Sequence, residues 1–485
     1  MLGFHMGKMP ALKTGIVHDT EYWLQQINRA SVVANVKAGL LDPEAARRLH
    51  KALDEIRDEA DRGARSKFNL YIQFEPELLK RCGRDAGILH AGRSSQDILA
   101  TCNAALNRER LVLLADAVVR LCESFVETVR REGDAVVPAY TNGVQAQPTL
   151  YGHYLLAHVN AFSRDVERMI ECWLRHDVCP MGSCVCTGTG SPLDTAEMAG
   201  LLGFSKPVEQ AFDAGQIRGN DLPLEMSQIV TSVMLHVNAF LADFMVQYAQ
   251  VKPWVVSMDR NGVYHSSSMP QKRNPGLIND CRRDAGLVIG EAQGVMMRMQ
   301  NLTLGMADVR DEFAMGALAE DAATVIETFA GIVRSLHVDR ERARDELMSE
   351  WTCTQEIADV LMRTANIDFR TGHGFASRFV TIARTNGWTP KTVKPADLHE
   401  VWKSYAEEHG LSLVFPLNDD LLKTVIEPEH ILAGRRTPGS ASPIMLETQT
   451  KQAELHLAGL SGWLDFKQNE AAQAAGSLEA KLAKI

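Results

Sequence analysis

Ser266-Ser267-Ser268-Met269-Pro270-Gln271-Lys272-Arg273-Asn274-Pro275 runs directly into a helical seam that begins at Ile278. The seam places Ile278, Cys281, Ala285, Val288, Ala292, Val295, Met299 and Leu302 at spacings of 3,4,3,4,3,4,3. That repeat belongs to a long helix burying one apolar stripe against its neighbours. Asparagine is a favoured helix cap and proline suits the first turn, so Asn274-Pro275 predicts the helix start. The polar stretch before it then lies where free backbone N–H groups and the positive dipole end attract anions. Lys272 and Asn274 add a cation and an amide donor. The stretch predicts a carboxylate site with a serine hydroxyl beside it.

The same periodicity recurs on both sides. One seam carries Leu318, Ala322, Val325, Phe329, Ile332 and Leu336. Another runs through Met226, Ile229 or Val230, Val233, Val237, Leu241, Phe244 and Tyr248. A fourth long helix follows Asp97 through Leu106, Leu113, Val118, Phe125 and Val129. A fifth starts near Pro148 and carries Leu155, Phe162, Val166 and Met169. Apolar residues on such wide arcs need partners on two or more sides, which predicts an all-α protein with a large central bundle that oligomerises. No alternating strand pattern of any length is read.

A chain of 485 residues exceeds what one core usually organises. The long seams fall in residues 96–343. Residues 1–95 form a region of shorter helices, near His18 to Ala38 and Asp42 to Gly63. Residues 344–485 form another, broken at Gly387-Trp388-Thr389-Pro390 and at Arg435-Arg436-Thr437-Pro438-Gly439-Ser440. The Ala/Lys/Glu-rich tail from Asn469 to Ile485 reads as a peripheral helix or a fraying end.

A net charge of −10 argues against a nucleic-acid or anionic-membrane surface. Residues 1–13 lack the apolar core of a secretory signal, and no uninterrupted apolar run reaches bilayer length. The nine cysteines show no disulfide or metal-ligand spacing, so they read as buried thiols of a soluble, cytoplasmic protein. Cys184-Val185-Cys186 is the closest pair. His153 and His158 read as packing or surface residues, and no phosphate loop or dinucleotide fingerprint is present.

Removing a proton from a carbon next to a carboxylate creates an aci-carboxylate with two negative charges. Fixed donors already aimed at that group stabilise it. A hydroxyl is a poor base at neutral pH unless deprotonated, and the same positive cluster favours an alkoxide on Ser266. Composition alone favours an ordinary solvated Ser/Pro loop.

Residues 266–275 resemble the signature loop of the fumarase/aspartase superfamily, Ser-Ser-x-Met-Pro-x-Lys-x-Asn-Pro, at every fixed letter. The resemblance implies Ser266 as base, Lys272 and Asn274 on the carboxylate, and Ser267 and Met269 beside the substrate. Further segments resemble argininosuccinate lyases. These are His90-Ala91-Gly92-Arg93-Ser94, Tyr140-Thr141, Ala146-Gln147-Pro148 with Gly152-His153-Tyr154-Leu155-Leu156-Ala157, Gly188-Thr189, and Leu201-Leu202-Gly203-Phe204. The resemblance implies a three-domain helical protomer and a homotetramer with a twenty-helix bundle. Active sites would be shared by three chains, need no cofactor, and take a small dicarboxylate held also by Ser94, Ser95, Gln96, Thr141 and Asn142.

Several positions depart from that family. Ser95-Gln96 stand where it has Arg-Asn, and Ser95-Gln96-Asp97 resembles the muconate cycloisomerase branch. Asn142 replaces a histidine, and asparagine is neither acid nor base near pH 7. Tyr71 stands in place of another histidine, and His265 in place of a glycine before the serines. Met306, Asp311 and Ala314 replace a Tyr, Gln and Lys that contact argininosuccinate. The expected activity is a C–N lyase releasing fumarate from argininosuccinate or a related adduct. The alternatives are a cycloisomerase-like reaction on a dicarboxylate lactone, or a catalytically silent relative.

Overall fold

The computed structural model describes residues 17–258, 262–301, 304 and 313–485. Asp19 caps helix α1 (Thr20–Lys37) by accepting from the Tyr22 N–H at 2.9 Å. Asp42 caps α2 (Pro43–Asp61) in the same way, with proline in the first turn. With α3 (Tyr71–Cys82) and α4 (Arg84–Leu89) they enclose an apolar cluster that includes Leu24, Ile27, Leu53 and Phe74.

The bundle follows. Helix α5 (Ser95–Glu132) is 38 residues long, about 57 Å at 1.5 Å per residue. Then come α6 (Tyr151–His176), the short α7 (Thr195–Leu201), α8 (Arg218–Tyr248), α9 (Gly276–Met299) and α10 (Phe313–Arg334). Four of these helices meet at four rings. Phe125 of α5 lies 6.0, 5.4 and 5.8 Å from Phe162 of α6, Phe240 of α8 and Phe329 of α10. Every seam residue named on α5 and α6 is buried, as are Ile278, Cys281, Ala285, Val288, Ala292 and Val295 of α9. Leu302 lies outside the described residues. Leu336 is buried as expected, but in a strand, Leu336–Val338, antiparallel to Val255–Ser257. The 36 residues Asp213–Tyr248, a π-turn plus α8, are long and apolar enough to cross a membrane by length and composition alone. Met226, Val233, Val237 and Leu241 are instead buried in the bundle core.

The expectation of no strand is overturned between α5 and α6. Val136–Thr141 pairs antiparallel with Val144–Leu150. Asn142 and Gly143 turn the chain with φ of 52° and 75°, the left-handed pair of a tight two-residue hairpin. Pro148 sits inside the second strand, opposite Pro138, so α6 starts three residues later than expected, at Tyr151. Burial there does not alternate cleanly, which is why periodicity missed the hairpin.

Helices α11 (Arg340–Leu347), α12 (Thr354–Ala365), α13 (Phe369–Thr385), α14 (Pro395–His409), α15 (Asp419–Val425) and α16 (Pro428–Ala433) follow. Most of them pack around Phe375, Phe379 and Trp402. The last helix, α17 (Pro443–Leu482), neither frays nor stays peripheral at its end. Leu478 and Leu482 are buried in the first cluster, and Glu479 pairs with the buried Arg29 of α1.

His158 is held in the aromatic core, stacked on Phe125 at 6.0 Å and edge-on to Phe240 at 4.9 Å. Burial pushes its pKa down to about 4, against an opposing pull from Asp243 and with a smaller push from His236. The folded state therefore favours the neutral ring, while the unfolded chain binds a proton below its ordinary value of about 6.5. Stability contributed by His158 is complete above that value and falls as pH drops toward 4. His158→Phe should flatten the pH dependence of denaturant midpoints across that window. A residual slope should persist from buried His176, whose pKa is pushed down to about 3.

Candidate active site

The signature stretch is a closed loop. Tyr264–His265 pairs antiparallel with Arg273–Asn274. Inside, the Ser266 N–H donates to the Lys272 carbonyl at 3.3 Å, and the Lys272 N–H to the Met269 carbonyl at 3.1 Å. Ser266 Oγ accepts two backbone N–H groups, from Ser268 at 3.4 Å and Met269 at 3.2 Å. Donors on an oxygen stabilise its anionic form, so the loop backbone itself favours the alkoxide. Ser266 is half-buried, while Ser267, Met269 and Lys272 are exposed.

Asn274 does not cap the helix. Its Nδ2 donates to the Tyr264 carbonyl at 3.3 Å, because the ribbon has captured it, and Pro275 takes the cap position. No side chain closes the N-terminus of α9, and its first turn holds no acid. Its free N–H groups remain available to an anion.

The second segment is built in the opposite way. Ser94 Oγ caps α5, accepting from Gln96 N at 3.0 Å and Asp97 N at 3.4 Å. Asp97 returns the bond, accepting from Ser94 N at 2.8 Å. Its other oxygen accepts from Gly182 N at 3.2 Å and Cys184 N at 3.0 Å. Burial raises the Asp97 pKa, and these three N–H groups oppose the rise. Ser95 is exposed, and Gln96 Oε1 accepts from Gln216 Nε2 at 3.2 Å. Arg93 is buried on Asn28 Oδ1 at 2.9 Å, Ser31 Oγ at 3.0 Å and the Tyr71 hydroxyl at 3.1 Å. That hydroxyl also meets His90 Nδ1 at 3.2 Å. Gly92 has φ of 68°, a backbone conformation that a side chain would strain.

Thr141 and Asn142 form the exposed hairpin tip. Tyr140 below them donates to the Glu346 carboxylate, and burial together with that carboxylate pushes its pKa up to about 12.

These segments do not converge within one protomer. Ser94–Gln96 begin α5 and the hairpin follows its far end, about 57 Å away by helix rise. The signature loop shares the hairpin's end. Glu132, at the end of α5, accepts from Val338 N at 3.4 Å, and Val338 pairs with Val255 of the chain leading into the loop. Among the described residues, no hydrogen bond or ion pair joins the three segments. Met306 and Asp311 lie outside the described residues, and of Ala314 only its place in α10 is described. Asp97, Gln216 and Glu346 were not anticipated as supports. The Ser-x-x-Asp spacing of a capping box could have revealed Asp97, whereas nothing local marks Glu346.

A cavity of about 800 Å³ lined by Tyr22, Trp23, Arg108, Trp173, Phe204 and Lys467 contains none of these site residues. Its cations are already paired, Arg108 with Asp177 at 2.6 Å and Lys467 with Glu470 at 2.7 Å.

A family model described as Lyase matches residues 11–290, more than half of the chain. The chain belongs to this lyase family of the fumarase/aspartase superfamily. Its chemistry is that of a C–N or C–O lyase acting on a dicarboxylate or amino-dicarboxylate. The argininosuccinate lyase of Methanoculleus marisnigri is 29% identical over 458 residues, 92% of this chain and 90% of that protein. That of Acidothermus cellulolyticus is 28% identical over 434 residues, 88% and 86% of the two chains. Among solved structures, a variant of EDDS lyase with bound fumarate superposes with a TM-score of 0.86 at 23% identity, covering 97% of this chain and 93% of that one. The 3-carboxy-cis,cis-muconate lactonizing enzyme of Pseudomonas putida gives 0.64 at 17% identity, covering 90% and 94%. At these identities, the two structures establish the all-α fold.

Asp97→Ala should strand three backbone N–H groups and lower stability by about 2–4 kcal/mol. Urea denaturation measures the loss. Hydrogen exchange should rise at the amides of Gly182 and Cys184.

Proposed function

We propose that this chain is a carbon–nitrogen lyase that splits an N-succinyl-type adduct by β-elimination, releasing fumarate and an amine. Ser266, as alkoxide, takes the Cβ proton. The electron pair of that C–H bond collects on the neighbouring carboxylate as the aci-carboxylate. It then forms the C=C bond of fumarate while the C–N bond breaks, and the nitrogen, bound in its protonated form, keeps the pair and leaves as a neutral amine. Lys272, Asn274 and the open N-terminus of α9 hold the aci-carboxylate. Ser94, Ser95, Gln96, Thr141 and Asn142, brought from other copies, hold the rest of the dicarboxylate. The pair of N–H groups on Ser266 Oγ carries this reading.

Ser266→Ala should cut turnover by about 10²–10⁴-fold, the range of a lost general base. The assay offers fumarate with a panel of amines, arginine included, and follows the loss of its conjugated ultraviolet absorbance. Full turnover in the variant would remove Ser266 from the mechanism. A cycloisomerase-like reaction on a dicarboxylate lactone is the second reading, favoured by Ser95-Gln96-Asp97 and Asn142. It requires that no amine consume fumarate and that the lactone be turned over.

The working form is proposed to be a homotetramer in a reducing cytoplasm, where its nine free thiols persist. Three features support assembly. Leu235 and Val246 of α8 are exposed, as are Leu287 and Met297 of α9. Gly286, Gly290 and Gly294 repeat every fourth residue on α9 with open space where a Cβ would stand. Such a face admits another helix at close range. The divided site also needs further copies. Leu287→Glu should lower the assembled mass in sedimentation runs and reduce activity in proportion.

A further inference from the structure

The signature ribbon carries a residue that the base-and-carboxylate account leaves unused. Side chains alternate along a strand, so Tyr264 and His265 take opposite faces, and Ser266 follows directly. Asn274 stands directly opposite Tyr264 in the register and therefore shares its face. Tyr264 and Asn274 thus border one space, two residues along the ribbon from Ser266.

The Tyr264 ring also lies over the first residue of α9. A Cβ on Gly276 would fall 2.8 Å from Tyr264 Cδ1 and 3.2 Å from Cε1, so the glycine makes room for the ring. The phenol is 58% exposed, and Met269, the loop's other large apolar side chain, is 42% exposed. Charge around them has one sign. From Gly262 to Asn279 there is no Asp or Glu, while Lys272 and Arg273 are present. The first acids of α9, Asp280 and Asp284, are taken by Arg283 at 2.8 and 2.9 Å. A guanidinium wants planar, paired carboxylate acceptors, and the loop offers none. An aromatic wall beside a cationic loop instead rewards burial of an uncharged body.

We propose that Tyr264 is the wall against which the leaving amine packs, and that it selects an amine with an apolar or aromatic body over one bearing a guanidinium. The proposal rests on the C–N lyase reading above.

The test runs in the amine-addition direction on the full-length assembled enzyme, with fumarate and either 2-phenylethylamine, ammonia or arginine. The wild type should favour 2-phenylethylamine over arginine in kcat/KM by about tenfold or more, the worth of part of a buried ring. Tyr264→Ala should erase that preference while changing the ammonia reaction far less. Tyr264→Phe should restore it, since the ring and not the hydroxyl is at issue. Gly276→Ala should shift the preference by displacing the ring. A wild type that prefers arginine overturns the proposal, as does an equal loss for every amine in Tyr264→Ala. A Tyr264→Phe variant as impaired as the alanine one also overturns it, by making the hydroxyl the working part. Failure of the wild type to consume fumarate with any amine brings down the lyase reading, and this proposal with it.

Discussion

Four phenylalanine rings, Phe125, Phe162, Phe240 and Phe329, hold four long helices at a single point in the core. Interiors pack as densely as organic crystals, so this cluster fixes the helices as struts rather than as a pliable bundle. The struts set how far apart their ends lie. Helix α5 carries the Ser94 cap at one end and delivers the hairpin at the other, across 38 residues of rigid helix. No side-chain motion closes that gap. A site that uses both ends has to be assembled between copies, and the apolar and glycine faces left open on α8 and α9 are where copies would meet.

The two polar segments use the same physics in opposite ways. The N-terminus of α5 is satisfied from within, by Ser94 and Asp97 bonding each other's backbone. Buried Asp97 also pins the turn at Gly182 and Cys184, so this segment is rigid before any ligand arrives. The N-terminus of α9 has no cap of its own, because Asn274 is held by the ribbon and proline stands next. An uncapped helix end has a standing cost that an anion relieves. The closed end supplies a scaffold, and the open end supplies the place where carboxylate charge is welcome.

The bundle was legible in the chain because burial enforces a period. Among the described seam residues from Leu106 to Phe329, all lie in the core except Tyr248 and Met299, which are half-buried against it. The hairpin was missed for a physical reason. Its strands carry Pro138 and Pro148 and do not alternate in burial, although Asn142-Gly143 is the residue pair such a turn demands. The helix cap was misplaced by one residue because capping preference is local, whereas the pairing of Asn274 with Tyr264 spans ten residues. Residue types at the site were readable from the loop, but their separation was not, since it depends on the length of α5 and on which end each segment occupies.

The asparagine at the hairpin tip joins backbone to chemistry. At φ of 52°, position 142 sits in the left-handed region, which asparagine tolerates better than most residues, and glycine follows it there. Asparagine, in place of the histidine of the argininosuccinate lyases, suits this two-residue turn. The turn then offers no acid to the departing amine. An alkyl amine bound as its ammonium, with a pKa comparable to that of lysine, brings its own proton at neutral pH. In the proposed reaction it leaves neutral once Ser266 has taken the carbon-bound proton and the C–N bond has broken. For such a substrate the histidine is dispensable, and the positive loop has only to hold the carboxylate on which charge accumulates.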